Sequence, residues 1–134
     1  MFDRIEVAAG VVRNTEGRFL ICRRKGALDG LWEFPGGKRE KGETFQQCLE
    51  RELMEELELP VEAGDTLGSV LRREGEKTIW LVFVSAKLKD SAQLVLHDHG
   101  KAAWVLPDEM SGYEFCPADQ SFLNSYLPTL NQAE

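Results

Sequence analysis

The sequence predicts an α/β sandwich with a mixed sheet, and three observations support that fold class. Apolar, β-rich runs are separated by turn signals along most of the chain. Two segments, residues 44–58 and 117–127, instead have the composition and periodicity of helices. The chain has 134 residues, of which 43% are hydrophobic and 29% charged, as is ordinary for a globular protein. This length predicts one domain, residues 1–134, that is large enough to bury a core.

The first part of the chain predicts a β-hairpin followed by a loop. Residues 5–12 and 19–24 are apolar and β-rich, and the turn-like segment 14–17 separates them, so we expect the two strands to pair. Residues 26–38 contain four glycines and a proline, which predicts a loop around the short extended stretch "LWEF".

The second half predicts three more strands and a final helix. Residues 66–73 and 77–86 are two strands joined across "EGEK", and the apolar run of the second favours a strand covered on both faces. Residues 102–110 predict a short strand that leads into a turn or helix. In the helix at 117–127, Asp119 lies near the N-terminus. The inner face of this helix would consist of Phe122, Leu123, Tyr126 and Leu127.

Charge and cysteine content exclude several classes of partner and site. The net charge of −7 argues against a nucleic-acid polymer or an anionic membrane as a partner. A small anionic ligand remains compatible, provided that a metal ion or local Arg and Lys residues reverse the field. The cysteines lie far apart without a C-x-x-C pair, which predicts free thiols in a reducing compartment. The N-terminus lacks the pattern of a signal peptide, and no apolar run approaches the ~20 residues of a membrane span, so we expect a cytoplasmic protein.

The segment 44–58 predicts an amphipathic helix with an unusual concentration of carboxylates. It contains no Gly or Pro, is rich in good helix formers, and is followed by Pro60, which cannot continue a helix. One stripe, at i, i+4 and i+8, would anchor the helix to the core through Leu49, Leu53 and Leu57. A second stripe, at i, i+3 and i+4, is formed by Glu52, Glu55 and Glu56.

Two interpretations of the glutamate stripe have to be weighed. A run of charge is usually a solvated helix face, although like charges at this spacing repel by a few tenths of a kcal/mol per pair. Alternatively a divalent cation compensates them, since carboxylate oxygens are preferred ligands of Mg²⁺ and Mn²⁺. Arg51, which neighbours Glu52 and precedes Glu55 by four residues, would then orient a ligand. An EF-hand is excluded because no D-x-[DN]-x-[DN]-G loop is present.

The spacing of residues around this helix favours the cation. From Gly37, five residues lead to Glu43, and seven more lead to Arg51-Glu52-Leu53, which Met54 and Glu55-Glu56 follow. With Leu59 at its end, this pattern resembles the Nudix box, G-x5-E-x7-R-E-U-x-E-E-x-G-U, where U is an aliphatic residue. Glu58 stands where the family has a glycine, a residue that helps to end the helix in a left-handed conformation.

The resemblance implies a Nudix-type α/β/α sandwich with a mixed sheet and a hydrolase of nucleoside diphosphates linked to another moiety. The implied cofactor is Mg²⁺, with Mn²⁺ as a substitute. The implied metal ligands are the Gly36 carbonyl and the carboxylates of Glu52, Glu55 and Glu56. Glu52 would also orient or deprotonate the attacking water, and Glu43 and Arg51 would complete the catalytic set by fixing the loop–helix geometry. Metal ions in such a site neutralise charge on the leaving pyrophosphate and lower the pKa of bound water.

Outside the box, the resemblance extends over most of the chain and favours the MutT-like and CTP pyrophosphohydrolase-like subgroup. The segments that carry it are "AAGVVRNTEGRFLICRRKGALDGLWEFPGGK", "HDHGKAAWVLPDEM" and "FCPADQSFL". The residues that it places against the nucleotide are Arg23, Phe34, Pro35, Gly36, Gly37, Lys38, Arg39, Arg72 and Asp119. Arg23 has an equally good interpretation as a surface arginine at a strand end. The "RR" pair at 72–73 leaves open which arginine faces the substrate.

Asp119 is the best indication of which base is bound, because it stands where MutT has an asparagine that reads guanine. An ionised carboxylate only accepts hydrogen bonds and therefore suits an exocyclic amino group such as cytosine N4. A protonated carboxyl in an apolar pocket both donates and accepts, which would permit oxidised purines. A purely structural alternative is that Asp119 caps the final helix.

An H-x-H pattern and two aromatic residues of a predicted strand each have a structural as well as a functional interpretation. His97-Asp98-His99 has the H-x-H spacing of a metal site but lacks a third ligand, and Asp98 is one methylene shorter than the glutamate of a family relative. Trp80 and Phe83 could stack on a base, but aromatic residues within a strand more often belong to the core.

The sequence therefore leaves four functional hypotheses. The first is a Mg²⁺-dependent nucleoside triphosphate pyrophosphohydrolase (NTP + H2O to NMP + pyrophosphate) that acts on CTP, dCTP or modified pyrimidine nucleotides. The second is a MutT-like hydrolase of 8-oxo-dGTP, and the third is a hydrolase of ADP-ribose or dinucleoside polyphosphates. The fourth is a non-catalytic nucleotide-binding module. This hypothesis is disfavoured because every acidic position of the box is filled. The expected partner is a small-molecule nucleotide, with no nucleic-acid polymer and no membrane, and the expected state is a monomer or homodimer.

Overall fold

The structure, a computed structural model, describes residues 3–26, 30–89, 94–97 and 99–130. Its strands are β1 (Asp3–Arg13), β2 (Phe19–Arg23), β3 (Trp32–Glu33), β4 (Gly36–Lys38), β5 (Val61–Glu74), β6 (Lys77–Leu88) and β7 (Lys101–Val105). Its helices are α1 (Phe45–Leu57), α2 (Pro117–Leu130) and a 3-10 helix at Pro107–Gly112 between β7 and α2. The predicted elements occur in the predicted order, and β4 is an additional strand within the segment that was predicted as a loop. Among the described residues, no helix is both long and apolar enough to cross a bilayer.

The strands form one mixed sheet around β1. This strand runs parallel to β6 over its whole length, from Asp3↔Lys77 to Arg13↔Lys87. It pairs antiparallel with β2 and with β4. Strands β5 and β6 form an antiparallel hairpin, and β2 pairs antiparallel with both β3 and β7. The predicted mixed sheet is confirmed.

The two helices cover opposite faces of the sheet, because strand side chains alternate between the faces. Ala8 and Val12 of β1 belong to the cluster that includes Leu49, Leu53 and Leu57 of α1. Ala9 and Val11 belong to the other cluster, which contains Phe122 and Leu123 of α2. The α/β/α sandwich is therefore confirmed, and the leucine stripe of α1 anchors this helix as predicted.

The aromatic side chains of β6 belong to the core, as expected. Phe83 is fully buried, and its ring stacks on that of Phe122 with centroids 4.1 Å apart. Trp80 is half-buried on the other face, where its ring packs edge-on against that of Phe45.

Helix α1 begins and ends with defined caps. Thr44 and Gln47 form a capping box, in which the Thr44 side chain accepts from the Gln47 backbone N–H. At the other end Glu58 takes the left-handed conformation itself, with φ of 52°, and its backbone N–H donates to the carbonyls of Leu53 and Met54. The expectation that Pro60 would end the helix was incomplete, because the left-handed turn at Glu58 already ends it.

The segment 94–97 packs against this end of α1. The backbone N–H groups of Val95 and His97 donate to the carbonyls of Leu57 and Glu56, at 3.1 and 3.3 Å. The His97 ring also lies 3.0 Å from the Glu58 carboxylate. Asp98, the middle residue of the H-x-H pattern, lies outside the described residues.

Candidate active site

The loop before α1 is held against the sheet by β4, and close contacts require glycine at positions 36 and 37. A Cβ on Gly36 would lie 1.8 Å from the carbonyl oxygen of Ala8, the neighbouring residue in β1. A Cβ on Gly37 would lie 2.1 Å from Cδ of Glu52. Glycine at 37 therefore lets the Glu52 carboxylate approach the loop backbone directly.

Arg51 joins the loop to the carboxylates of α1. Its guanidinium donates to both Glu43 oxygens, at 2.7 and 3.1 Å, and to the Lys38 carbonyl at 3.0 Å. It also donates to Glu52 at 3.0 Å and to Glu55 at 3.2 Å. A planar guanidinium with several fixed donors can hold these groups together, which a lysine cannot do. Arg51 and Glu43 thus connect the loop to the helix, and their part in catalysis remains a prediction.

The electrostatic environment distinguishes the glutamates of this network. The hydrogen bond from Arg51 lowers the pKa of Glu43 to about 2. The pKa of Arg51 is raised, chiefly by its hydrogen bond to Glu43. Burial raises the pKa of Glu52 although Arg51 opposes the change, and the neighbouring carboxylates of Glu55 and Glu43 raise it further. The ionised form of Glu52 is thus incompletely compensated by the protein.

These carboxylates fit a divalent cation by their chemistry. Glu52 is half-buried against the glycine loop, Glu56 is half-buried, and Glu55 is exposed on the same stripe of α1. A hard cation would offset the cost of the ionised Glu52, and oxygen donors are what Mg²⁺ and Mn²⁺ prefer. The ligand set Gly36, Glu52, Glu55 and Glu56 remains a prediction.

A cavity of about 580 Å³ lies at the N-terminal end of α2. The bridge between chain segments that builds it joins β3 to the residues before α2: the Trp32 N–H donates to the Glu114 carbonyl and the Cys116 N–H to the Trp32 carbonyl, both at 2.8 Å. This bridge brings Asp119 to the residue after β3, where its Oδ2 accepts from the Phe34 N–H at 3.0 Å. The cavity is lined by Val7, Arg24, Glu33, Arg72, Arg73, Glu74, Ile79, Leu81, Cys116, Ala118 and Asp119.

Asp119 is a buried acid in the wall of this cavity. Its residue is only 3% exposed. Burial raises its pKa to about 7, although the Phe34 N–H favours the ionised form. Near neutral pH both protonation states are therefore accessible, so the two modes of base recognition that the sequence suggested both remain open.

Part of the polar wall beside Asp119 was not predicted from the sequence. Ligand atoms of Glu33, Cys116 and Asp119 all lie within 4.8 Å of one another, a spacing that would admit a metal ion. However, the Arg24 guanidinium lies 3.8 Å from the Glu33 carboxylate and supplies a positive charge there. Burial also raises the pKa of the Cys116 thiol to about 11, which disfavours the thiolate that ligates metals. We therefore interpret this cluster as a wall of the cavity.

Of the two adjacent arginines of β5, both line the cavity. Arg72 pairs with Ile79, whose side chain also lines it, and donates to the Glu74 carboxylate at 2.6 Å. Arg72 is half-buried and Arg73 is exposed. The geometry thus favours Arg72 as the arginine on the cavity face, the position that the resemblance gives it.

Two other predicted arginines lie elsewhere. Arg39 donates to the Glu6 carboxylate and, at 2.8 Å, to the Glu43 carbonyl, so its guanidinium fastens the loop before α1 to β1. Arg23 is half-buried at the end of β2, near Gly30, and is not among the residues that line the Asp119 cavity. Contact of either residue with a nucleotide remains a prediction.

The remaining loop residues face the site mainly with their backbones. The Phe34 side chain is buried in the core, while its N–H binds Asp119. The Pro35 carbonyl accepts from the Gly10 N–H at 2.7 Å, and Lys38 is exposed and accepts from Arg51 through its carbonyl. This arrangement fixes the loop by its main chain.

The glycine loop and the Asp119 cavity adjoin each other. A small void of about 60 Å³ is lined by residues of both, including Glu33, Phe34, Gly36 and Asp119. The backbone path from Asp119 therefore runs through Gly36, which lines the void, to Gly37, which lies against the Glu52 carboxylate. An elongated ligand lying along this path would have one end at a buried acid and the other at the glutamate stripe.

The chain is similar to known nucleotide hydrolases and to a solved structure. The CTP pyrophosphohydrolase of Escherichia coli K12 is 34% identical over 126 residues, which is 92% of this chain and 91% of the relative. The 8-oxo-dGTP diphosphatase of Proteus vulgaris is 38% identical over 82 residues, 60% of this chain and 73% of the relative. The solution structure of the E. coli ORF135 protein superposes with a TM-score of 0.84 at 31% identity, covering 98% of this chain and 94% of that chain.

The family assignment follows from these similarities and from a match over almost the whole chain. The model of the NUDIX domain matches residues 3–129. This match includes the glycine loop, the glutamates of α1 and Asp119. The chain is a member of the Nudix hydrolase family, enzymes that generally use divalent metal ions.

Proposed function

We propose that the protein is a Mg²⁺-dependent nucleoside triphosphate pyrophosphohydrolase that prefers CTP, dCTP or modified pyrimidine nucleotides. The observation that carries the proposal is the placement of the Arg51-held carboxylates and the Asp119 cavity on either side of the Gly36-Gly37 backbone. A triphosphate would extend over the glycines while its base enters the cavity. Similarity to the E. coli CTP pyrophosphohydrolase supports the same substrate class.

The roles of the residues follow from their positions. The bound metal ions would neutralise charge on the phosphates and lower the pKa of a bound water, with Gly36, Glu52, Glu55 and Glu56 as their ligands. Glu52 orients the attacking water or accepts its proton. Its carboxylate accepts a hydrogen bond from Arg51 and occupies the space that the missing side chain of Gly37 leaves. Glu43 acts through Arg51, because both of its oxygens bind that guanidinium.

The cavity supplies hydrogen-bond partners that suit cytosine. The edge of cytosine presents one amino donor and two acceptors. Carboxylates of Glu33 and Asp119 would accept from the amino group, and the Arg72 guanidinium would donate to the acceptors. Such pairing discriminates between bases by about 1–3 kcal/mol for a good bidentate contact.

A second candidate function, hydrolysis of 8-oxo-dGTP, is favoured by a separate observation. The pKa of Asp119, raised to about 7 by burial, makes the protonated carboxyl accessible, and this form both donates and accepts. Guanine-type bases also present two adjacent N–H donors, from which the carboxyl groups of Glu33 and Asp119 could accept hydrogen bonds. Similarity to the 8-oxo-dGTP diphosphatase of P. vulgaris supports this alternative.

A panel assay of pyrophosphate release with Mg²⁺ tests the proposal. It would compare CTP, dCTP, 5-methyl-dCTP, 8-oxo-dGTP, ADP-ribose and a dinucleoside polyphosphate. We expect the highest kcat/KM for a cytidine nucleotide and loss of activity in Glu56→Gln. Glu62→Gln, a matched change at an exposed position of β5, serves as the control and should retain activity.

Two outcomes of the panel would contradict parts of the proposal. A strong preference for 8-oxo-dGTP would refute the pyrimidine assignment in favour of the second candidate. Equal, negligible rates in the wild type and in Glu56→Gln for every nucleotide would refute the enzymatic assignment and favour a nucleotide-binding module.

A further inference from the structure

His99 is a buried polar residue for which the proposed chemistry has no role. It lies two residues before β7 and is only 8% exposed. Its Nε2 lies 2.8 Å from Oε2 of Glu33. The other ring nitrogen, Nδ1, is buried and has no hydrogen-bond partner among the residues that the structure describes. Within that part of the chain, Glu33 is therefore the hydrogen-bond partner that accounts for a buried imidazole at this position.

The Glu33 carboxylate lies closer to His99 than to its other charged neighbour, Arg24. Oε2 of Glu33 accepts from His99 when the imidazole is in its Nε2–H tautomer. Oε1 lies 3.8 Å from the nearest guanidinium nitrogen of Arg24, which is beyond hydrogen-bond range. Of these two neighbours, His99 therefore determines where the Glu33 carboxylate points.

The backbones at Glu33 and next to His99 are both hydrogen-bonded to β2, so the sheet fixes the distance between these two residues. Glu33 pairs with Cys22 of β2 on one side. On the other side β7 pairs with β2 at Arg23↔Lys101, and the Gly100 N–H donates to the Arg23 carbonyl at 3.0 Å. The His99 side chain thus reaches across the end of β2 to Glu33.

The position of the Glu33 carboxylate matters because it forms one wall of the Asp119 cavity. One ligand atom each of Glu33 and Asp119 lie within 4.8 Å of each other, a separation that a single amino group of a base can span. Two acceptors select among bases only when their separation is fixed, because a mobile carboxylate can adapt to several hydrogen-bonding edges.

We propose that His99 is a positioning residue for base selection, whose Nε2–H fixes the Glu33 carboxylate beside Asp119 so that the two acids act as a rigid pair of acceptors. This inference rests on the proposed function, since it assumes that a nucleobase occupies the cavity. It assigns to His99 no contact with the reacting phosphates. The Glu33–His99 contact should therefore affect which base is chosen more than how fast the bound nucleotide is cleaved.

Replacing His99 by two amides that differ in reach tests the proposal. In His99→Gln the side-chain N–H can occupy the place of Nε2, whereas in His99→Asn it falls short by one methylene. We expect His99→Asn to lower the ratio of kcat/KM between the preferred base and a disfavoured one by about tenfold, the size of one lost hydrogen bond to a charged group. The change should come from KM, with kcat within about twofold of wild type. His99→Gln should restore the ratio.

Four further variants separate positioning from a general structural role. His99→Phe fills the ring volume without a donor, and should reproduce the loss in selectivity even where His99→Asn fails to fold. Glu33→Gln combined with His99→Asn should have the selectivity of Glu33→Gln alone, because His99 acts through Glu33. His97→Asn, at an exposed histidine that contacts Glu58, is the matched control and should keep the wild-type ratio.

The possible failures are distinguishable. Wild-type selectivity in both His99→Asn and His99→Phe would overturn the inference while leaving the proposed function intact. Equal losses in His99→Gln and His99→Asn, with equal falls in Tm, would overturn it in favour of a structural role. A wild-type protein that releases no pyrophosphate from any nucleotide would contradict the proposed function itself.

Discussion

Gly37→Ala provides a direct test of the proposed active-site geometry, because it moves one carboxylate without changing any charge. The added Cβ would lie 2.1 Å from Cδ of Glu52 and 2.2 Å from its Oε2. Ordinary van der Waals contact begins near 3.4 Å. The Glu52 carboxylate must therefore move away from the loop by more than about 1 Å. A misplacement on that scale strongly lowers catalytic rates.

The expected cost falls on catalysis and hardly on stability. Displacement of a reacting group by about 1 Å lowers rates by roughly 100-fold, so we expect kcat/KM to fall by about that factor. The clash is with the end of a flexible side chain, and the fold can relieve it by giving up the hydrogen bond from Arg51 to Glu52. Loss of one partly exposed ion pair costs about 1 kcal/mol or less, which corresponds to a Tm lower by about 4 °C or less.

Steady-state pyrophosphate release with Mg²⁺ and thermal unfolding, measured on the same preparations, give both quantities. Gly112→Ala is the matched control, because a Cβ there meets no atom within 4 Å and the residue has no positive φ. Wild-type kcat/KM in Gly37→Ala would refute the assignment of Glu52 to the reacting centre. A large fall in Tm with proportionate loss of activity would show that the glycine serves the fold instead.

Three more predictions concern the helix end, the Arg51 network and Asp119. Glu58→Gly should raise the free energy of unfolding by about 1 kcal/mol in denaturant titrations, because it relieves a left-handed non-glycine residue, and activity should be unchanged. Arg51→Lys should lower kcat/KM at least about tenfold, since an ammonium group cannot hold both oxygens of Glu43 together with Glu52. Asp119 has a pKa raised to about 7 by burial, so its protonated form favours folding, and that contribution is lost as pH rises toward and through 7. Urea unfolding should therefore show that wild type loses about 2–3 kcal/mol more than Asp119→Asn between pH 5 and pH 8; equal losses would contradict the shift.

Local sequence patterns predicted most of the elements, but they missed β4 and underestimated how far strand pairing extends the others. The strand predicted at 66–73 runs from Val61 to Glu74, although Gly64 and charged residues disguise its first part. Two long-range contacts hold this part in the sheet: Ala63 pairs with Ala86 of β6, and the Ala63 N–H donates to the Glu50 carboxylate of α1. Such contacts cannot be read from a window of neighbouring residues.

The same distinction applies to the site. Arg51, Glu52 and the other box residues are close in sequence, so a helix and a preceding loop bring them together, and their spacing was sufficient to predict the cluster. The cavity wall is different, because Glu33 contacts His99 across 66 residues and Phe34 binds Asp119 across 85 residues. Nothing in the local sequence indicates these pairs. His99 was noticed only as part of the H-x-H pattern, Arg24 had no signal, and the pairing of Arg39 with Glu6 was equally hidden.

The energetics of Asp119 argue that its acid is retained for a ligand and not for the fold alone. An asparagine could accept from the Phe34 N–H equally well, without any cost of ionisation. Burial of the carboxyl, which is only 3% exposed, instead raises its pKa to about 7, so its ionisation near neutral pH opposes folding. N–H donors of a base in the cavity would stabilise the ionised carboxylate and so offset the free energy that its burial costs. A base without such donors would leave that free energy uncompensated, so the buried acid favours bases that present N–H donors.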